Sequence, residues 1–176
     1  MVLALIPLAA WLAGCSPAWN WREVPQGDAP LTALLPCKPD RGSRDVPMAG
    51  ESVSLRMTGC EANGATFAIS QMKLRPAAPA SEALAQWRAA TLANMRAGEV
   101  REQPFQLAGG LALPQSVRLT ARGQRADGQA VSAQAVWFAR STPDGLWLFH
   151  AVIYADTVKP EVADAFFGGL KLLGAP

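Results

Sequence analysis

Histidine and tyrosine are nearly absent from this chain, and cysteine is scarce. The 176 residues include one His, one Tyr and three Cys. Zinc and similar metal ions are normally held by several Cys and His side chains, which this sequence does not supply. Two common catalytic signatures are missing as well, the Gly-x-Ser-x-Gly elbow and the glycine-rich phosphate loop followed by lysine. The sequence therefore predicts no metal ion or other cofactor, and it favours a non-catalytic role over an enzymatic one.

An excess of charge of either sign is also missing. Sixteen Lys and Arg residues balance fourteen Asp and Glu residues, which gives a formal net charge of +2. Because the basic residues form no run, the composition does not favour nucleic acid as a partner. Arg118, Arg122 and Arg125 are the one ordered basic feature. They are consistent either with a solvated outer face or with a site for an anionic partner such as a lipid headgroup.

Charged side chains are absent from residues 1–14, where the chain is almost entirely apolar. This run is too short to span a hydrocarbon core, which needs about 20 residues, but it has the length of the hydrophobic region of a signal peptide. No Lys or Arg precedes the run, so either the true start lies upstream or the α-amino group supplies the positive charge. The alternative interpretation is a buried N-terminal helix of a cytoplasmic domain.

The apolar run ends in Leu12-Ala13-Gly14-Cys15, which resembles the lipobox of bacterial lipoproteins. The resemblance implies cleavage before Cys15, diacylglycerol on its thiol and usually a further acyl chain on the new amino group. Ser16 follows, and the absence of Asp there favours the outer over the inner membrane by resemblance to enterobacterial sorting. We therefore expect a lipoprotein of the cell envelope that is anchored to the membrane through Cys15 and faces the periplasm.

Residues 15–30 are rich in proline and show little periodicity. They predict a tether between the lipid anchor and a single domain at 31–176, with the signal peptide at 1–14. Trp19 and Trp21 lie within the tether, and amphipathic rings of this kind are common at membrane interfaces. Packing of one of them on the domain is an equally good interpretation.

The cysteine count favours a disulfide once Cys15 is set aside for lipidation. Cys37 and Cys60 then remain as a pair in an oxidising compartment, where disulfides persist. Closing a loop of about 24 residues would stabilise the fold by roughly 3 kcal/mol on the chain-entropy model. A redox role would require a Cys-x-x-Cys-like spacing, which is absent. Both residues are placed at strand ends, as neighbours in a sheet.

The order of the predicted elements indicates an α+β domain. Apolar spacing predicts a helix with Ser81 as N-cap and Gly98 as C-terminal cap, and Pro160 suits the first turn of a last helix. Asn63-Gly64 is a strong two-residue hairpin signal. The resulting architecture is an antiparallel sheet in two strand groups (β-meander, helix, β-meander, C-terminal helix) with the helices packed on the sheet. Alternating apolar residues predict strands at 32–37, 52–58, 65–74, 117–122, 131–140 and 146–154.

His150 and Tyr154, the only histidine and the only tyrosine, lie four residues apart in the most apolar predicted strand. Since side chains alternate along a strand, the two share one face. A lone histidine in such a strand is more often a buried residue satisfied by a backbone partner than a general base. The alternative is that both residues face a ligand pocket, although two such groups define no reaction.

Segments 34–39 and 165–172 resemble small lipoproteins of proteobacteria. The order of elements over roughly 32–173 is also similar to that of PsbP-like domains. That resemblance implies an antiparallel sheet between helices and a role in the assembly or stability of membrane complexes, and it carries no catalytic residues. We therefore expect a non-catalytic binding or assembly module with an envelope protein as its candidate partner. The alternative is an envelope enzyme or small-ligand-binding protein with a pocket near His150 and Tyr154, whose ligand the sequence does not indicate.

Overall fold

The computed structural model describes residues 19–174, so the predicted signal peptide, its cleavage site and Cys15 lie outside the described residues. Within that range the chain forms ten strands and two helices. The strands are β1 (Arg22–Pro25), β2 (Leu31–Leu35), β3 (Asp40–Met48), β4 (Glu51–Ala62), β5 (Ala65–Leu74), β6 (Val100–Pro104), β7 (Val117–Gln124), β8 (Ala130–Thr142), β9 (Gly145–Ala155) and β10 (Lys171–Leu172). The helices are α1 (Ala80–Asn94) and α2 (Pro160–Gly168).

The strands form two antiparallel sheets. The large sheet has seven strands in the order β3-β4-β5-β9-β8-β7-β6, and the small sheet has three in the order β1-β2-β10. Helix α1 packs on one face of the large sheet, whereas α2 and the small sheet pack on the other. The predicted α+β class with a mainly antiparallel sheet is confirmed in this coarse form. The second sheet is a feature that the sequence analysis did not predict.

Strand β9 is the centre of the fold, and nearly all of its residues are buried. A strand covered on both faces carries apolar side chains on both, so its sequence reads as a continuous apolar run. Phe149 belongs to the core shared with α2 and the small sheet, whereas Leu148 belongs to the core under α1. His150 is on the same face as Leu148, because residues two apart in a strand point the same way.

The predicted hairpin at Asn63-Gly64 is confirmed. Ala62 pairs with Ala65 across the turn, and both central residues have positive φ, 50° and 74°. This is the backbone that a two-residue hairpin requires and that Asn and Gly adopt most readily. The hairpin joins β4 to β5, and the chain between β5 and β9 then folds back so that these two strands pair in the sheet.

The ends of α1 differ from the prediction. The helix begins at Ala80 after Pro79, and Ser81 lies inside it, so Ser81 is not the N-cap. The helix ends at Asn94, and Arg96 takes the positive φ of 47° that turns the chain away. Gly98 is therefore not the residue that terminates the helix. Pro79 has no N–H of its own to satisfy, and no side chain caps the first turn with a hydrogen bond.

The Cys37–Cys60 disulfide is confirmed, with the two Cα atoms 5.9 Å apart. Cys37 follows β2 of the small sheet, whereas Cys60 lies on β4 of the large sheet. The expectation that the two residues are neighbours in one sheet is therefore wrong. The bond joins two layers instead, because Cys60 faces the core that the small sheet covers.

The folded domain begins earlier than the boundary drawn from the sequence at residue 31. Trp19 and Trp21 stack on each other and pack edge-on against Phe67, with ring centroids 5.9 and 6.2 Å from it. Strand β1 then pairs with β2. The described part of the predicted tether therefore belongs to the domain, because its two tryptophans cover apolar surface of the domain. The prolines in this stretch had indicated a tether instead.

Two adjacent glycines at the end of α2 give a matched test of this packing. A Cβ on Gly169 would overlap Leu34 on β2, whereas a Cβ on Gly168 would have no neighbour within 4 Å. The φ of Gly169 is −83°, so the close approach, not the backbone conformation, requires glycine there. We expect Gly169→Ala to lower the free energy of unfolding by about 1–3 kcal/mol. Gly168→Ala should raise it by up to about 1 kcal/mol, because alanine favours helix.

Urea denaturation of the two variants followed by tryptophan fluorescence measures both effects. Equal stability of Gly168→Ala and Gly169→Ala would contradict the packing of α2 on β2.

Candidate functional site

A cavity of about 590 Å³ lies between α1 and the face of the large sheet that the helix covers. Its volume is within the range of about 300–1,000 Å³ that is typical of small-molecule sites. Helix α1 forms one wall, and β3, β4, β5 and β9 form the other. From α1 the cavity is lined by Gln86, Trp87, Ala90, Thr91 and Asn94.

The walls of the cavity are mainly apolar and rich in methionine. Met48, Met72 and Met95 are buried, and Met57 is partly exposed at the edge. Methionine is flexible and polarisable, so surfaces built from it adapt to ligands of irregular shape. Trp87 of α1 also lines the cavity and is 7% exposed. It belongs to the core under α1 and is also part of the cavity wall.

His150 lines the cavity and is held in place by rings. It stacks on Trp137, with centroids 4.3 Å apart, and meets the edge of Trp87 at 5.6 Å. Burial lowers the pKa of His150 from its ordinary value of 6.5 to about 3. The imidazole is therefore neutral at physiological pH, with one nitrogen able to donate a hydrogen bond and the other able to accept one.

The Nε2 atom of His150 is buried and has no hydrogen-bond partner among residues 19–174. The expectation that a backbone group would satisfy this side chain is therefore wrong for Nε2. A buried polar atom without a partner costs roughly 1–3 kcal/mol, and such atoms need an explanation. A polar group of a bound ligand would provide that partner.

Tyr154 lines the same cavity as His150. Burial raises the pKa of its phenol above the ordinary value of 10.0, so the hydroxyl keeps its proton and can donate. The structure thus places the two residues singled out in the sequence at one cavity. Their strand spacing was the signal that placed them on one face.

Arg44 and Ser70 had no signal in the sequence, whereas Arg125 belongs to the basic feature that the sequence shows. Arg44 on β3 and Arg125 after β7 line the cavity, one exposed and one half-buried, and neither forms an ion pair in the described part of the chain. Ser70 is buried beside His150, with which it pairs across β5 and β9. No acidic side chain is found among the described residues that line the cavity. The cavity is therefore apolar within and positively charged at its rim.

Arg118, Arg122 and Arg125, the basic residues in and after β7, have different surroundings in the structure. Arg118 donates to Asp164 of α2 and to Gln134, each at 3.1 Å, and its guanidinium lies 4.9 Å from the centre of the Phe167 ring. It thereby fastens α2 to the large sheet. Arg122 is exposed on the strand, and Arg125 reaches the cavity. The three arginines do not form one surface.

Residues 19–174 contain no group of three or more His, Cys, Asp or Glu side chains placed to hold a metal ion. Within the same range, neither helix is long and apolar enough to cross a membrane. Comparison with known proteins gave no match, whether to a family model, to a curated protein or to a solved structure.

Proposed function

We propose that this protein is a lipid-anchored lipoprotein of the cell envelope that binds a small apolar ligand, without catalysis, in the cavity beneath α1. The observation that carries the proposal is the cavity itself, which joins an apolar interior to a buried His150 Nε2 that lacks a partner. Sites for small molecules combine these two properties, an apolar lining and a few polar groups that orient the ligand.

The lipobox at Leu12-Ala13-Gly14-Cys15 supports the location. Lipidation of Cys15 would hold the domain at a membrane surface, outer rather than inner by the residue that follows. The Cys37–Cys60 disulfide is consistent with the oxidising periplasm, since such bonds are rare in the cytosol.

Binding is a better account of the cavity than catalysis. A general base is most effective when its pKa lies near the working pH, whereas burial holds the pKa of His150 at about 3. No described carboxylate lines the cavity to raise that pKa or to share a proton. A neutral imidazole in an apolar wall is suited to orienting a ligand through one hydrogen bond.

The other role expected from the sequence is assembly with an envelope protein, which the PsbP-like resemblance implies. Assembly with a protein does not require a cavity. Binding of a small ligand in the cavity therefore distinguishes the ligand-binding role from the assembly role. The test uses the full-length protein in phosphatidylcholine nanodiscs, with ω-bromoundecanol as the probe. Its bromine quenches the fluorescence of any tryptophan that it touches, and the Trp87→Phe variant identifies the signal of Trp87.

We expect ω-bromoundecanol to quench Trp87, and Ala90→Phe to weaken that binding by at least about tenfold, because the new ring fills the cavity. Ala89→Phe is the matched control, since Ala89 is exposed on the same helix and does not line the cavity. An unquenched Trp87 in the wild-type protein would overturn the proposal and favour the assembly role. Equal binding by the two alanine variants would place the site elsewhere.

A further inference from the structure

We infer that the ligand is an amphiphile with one anionic head, its acyl chain in the cavity and its carboxylate or phosphate at Arg44 and Arg125. This inference rests on the proposed function and adds the chemical class of the ligand. It follows from how charge is distributed around the cavity.

The interior of the cavity suits a flexible hydrocarbon chain. Its deep walls come from Leu55, Met72, Trp87 and Met95, all buried side chains without charge. Four methionines line the cavity in all, counting Met48 and Met57. Unbranched, polarisable side chains of this kind accommodate a chain that has many conformers.

The rim of the cavity suits an anion. Arg44 and Arg125 line it, and in the described part of the chain neither guanidinium has a hydrogen-bond or ion-pair partner. Six of the sixteen cations pair with a carboxylate in the described chain, and Arg44 and Arg125 are among the ten that do not. What distinguishes these two is that both line the cavity, where no described acidic residue competes for them. Arginine binds carboxylate and phosphate through paired donors, and such charge-assisted bonds are stronger than neutral ones.

Three polar side chains that line the cavity also suit an anionic amphiphile. Ser70 and His150 lie side by side on β5 and β9, and Tyr154 lies further along β9. Each can bond an oxygen near the junction of head and chain. Two arginines with a few neutral donors favour an anionic head over a cationic or an uncharged one.

The test compares ω-bromoundecanoate with ω-bromoundecanol on the full-length protein in phosphatidylcholine nanodiscs, well above the pKa of the acid. These probes share one chain and differ in the charge of the head. We expect the acid to bind about tenfold more tightly than the alcohol, as judged by quenching of Trp87. The double variant Arg44→Gln/Arg125→Gln should lower the affinity for the acid to that for the alcohol, and leave the alcohol unchanged.

Arg122→Gln is the control, because Arg122 is an exposed arginine of β7 that does not line the cavity. If both probes quench Trp87 equally, or if the double variant binds the acid as the wild type does, the inference about the head is overturned and the apolar site remains. If neither probe quenches Trp87, the proposed function fails with it.

A fatty acid and an anionic membrane phospholipid both combine an acyl chain with an anionic head. A second experiment distinguishes these two sources of the ligand. Nanodiscs that contain phosphatidylglycerol with brominated acyl chains, and no added acid, are expected to quench Trp87 only if the protein draws a phospholipid chain into the cavity. The Arg44→Gln/Arg125→Gln variant should abolish that quenching. Quenching that persists in the variant would again contradict the role of the two arginines.

Discussion

Cys15→Ala is expected to release the protein from membranes almost completely while leaving the domain folded. Acyl chains contribute about 0.8 kcal/mol for each buried methylene, and two or more chains are needed for stable anchoring. Residues 1–14 cannot replace them, because an apolar run of that length does not span the hydrocarbon core, which takes about 20 residues. The measurement is carbonate washing of membranes, followed by detection of the protein in the two fractions.

Ser16→Ala is the matched control for this experiment, since it changes the neighbouring residue and keeps the thiol. It should remain in the membrane fraction. Folding of the released Cys15→Ala protein is checked by its tryptophan fluorescence and by resistance of Cys37 and Cys60 to alkylation before reduction. Retention of Cys15→Ala in washed membranes, or loss of its fold, would contradict the anchor.

Acidification from pH 6.5 towards 4.5 is expected to destabilise the protein by up to about 1.4 kcal/mol for each pH unit, through His150 alone. The pKa of His150 is lowered to about 3 by burial. Above the ordinary value of 6.5 the imidazole is neutral in both the folded and the unfolded states, and stability does not change. Below pH 6.5 the imidazole of the unfolded chain binds a proton, whereas that of the folded chain does not. The free energy of unfolding therefore decreases as the pH decreases.

This pH window isolates His150 because the chain has no other histidine. The carboxyl groups with depressed pKa values act at lower pH. Glu23, Asp28 and Asp144 have pKa values lowered by hydrogen bonds from Lys171, Arg56 and Lys73, so their stabilising effect is lost as pH falls through and below their ordinary values of 4.5, 3.8 and 3.8. The slope between about pH 5.5 and 6.5 is therefore the part of the window that reports His150. Tyr154 also lines the cavity, and its phenol stays protonated in this window because burial raises its pKa.

Urea titrations at several pH values between 4.5 and 7.5 measure this slope. His150→Phe, which keeps a ring against Trp137, should remove the slope within the window, and His150→Gln serves as a second variant without a titrating group. A slope that is the same in the wild type and in both variants would contradict the buried, neutral histidine.

The central part of the fold could be predicted from the sequence, because local pattern and burial agree there. Strand β5 has the predicted bounds, and β8 and β9 extend the predicted strands by a few residues. Their apolar runs arise from burial on both faces, and Asn63-Gly64 marks the hairpin through its backbone. In these elements the local sequence pattern predicts the strand or turn, and tertiary packing stabilises the same structure.

The edges of the sheets could not be predicted in the same way. Strand β3 is exposed over most of its length and carries charged residues, Gly and Pro, so it shows no alternation. Strand β6 at the opposite edge is also exposed. Strands at an edge are specified by backbone pairing with one neighbour, and charged residues there discourage pairing with other chains. The short β10 exists only because β2 lies beside it.

The candidate site also has a part that could be predicted from the sequence and a part that could not. His150 and Tyr154 could be placed on one face from their spacing in a strand. Arg44, Ser70 and Trp87 come from three other elements, and only the folded chain brings them to one cavity. Arg44 carries no local signal, and the basic spacing that includes Arg125 does not show that it lines one cavity with Arg44.

Native mass spectrometry of the protein extracted from its own membranes tests the proposed anchor and ligand together. We expect a chain that begins at Cys15, carries covalent acyl groups and one disulfide, and holds one noncovalent amphiphile that Ala90→Phe loses and Ala89→Phe keeps. An unprocessed chain without acyl groups, or a processed chain whose cavity is empty in both the wild type and the Ala89→Phe control, would contradict the proposed function.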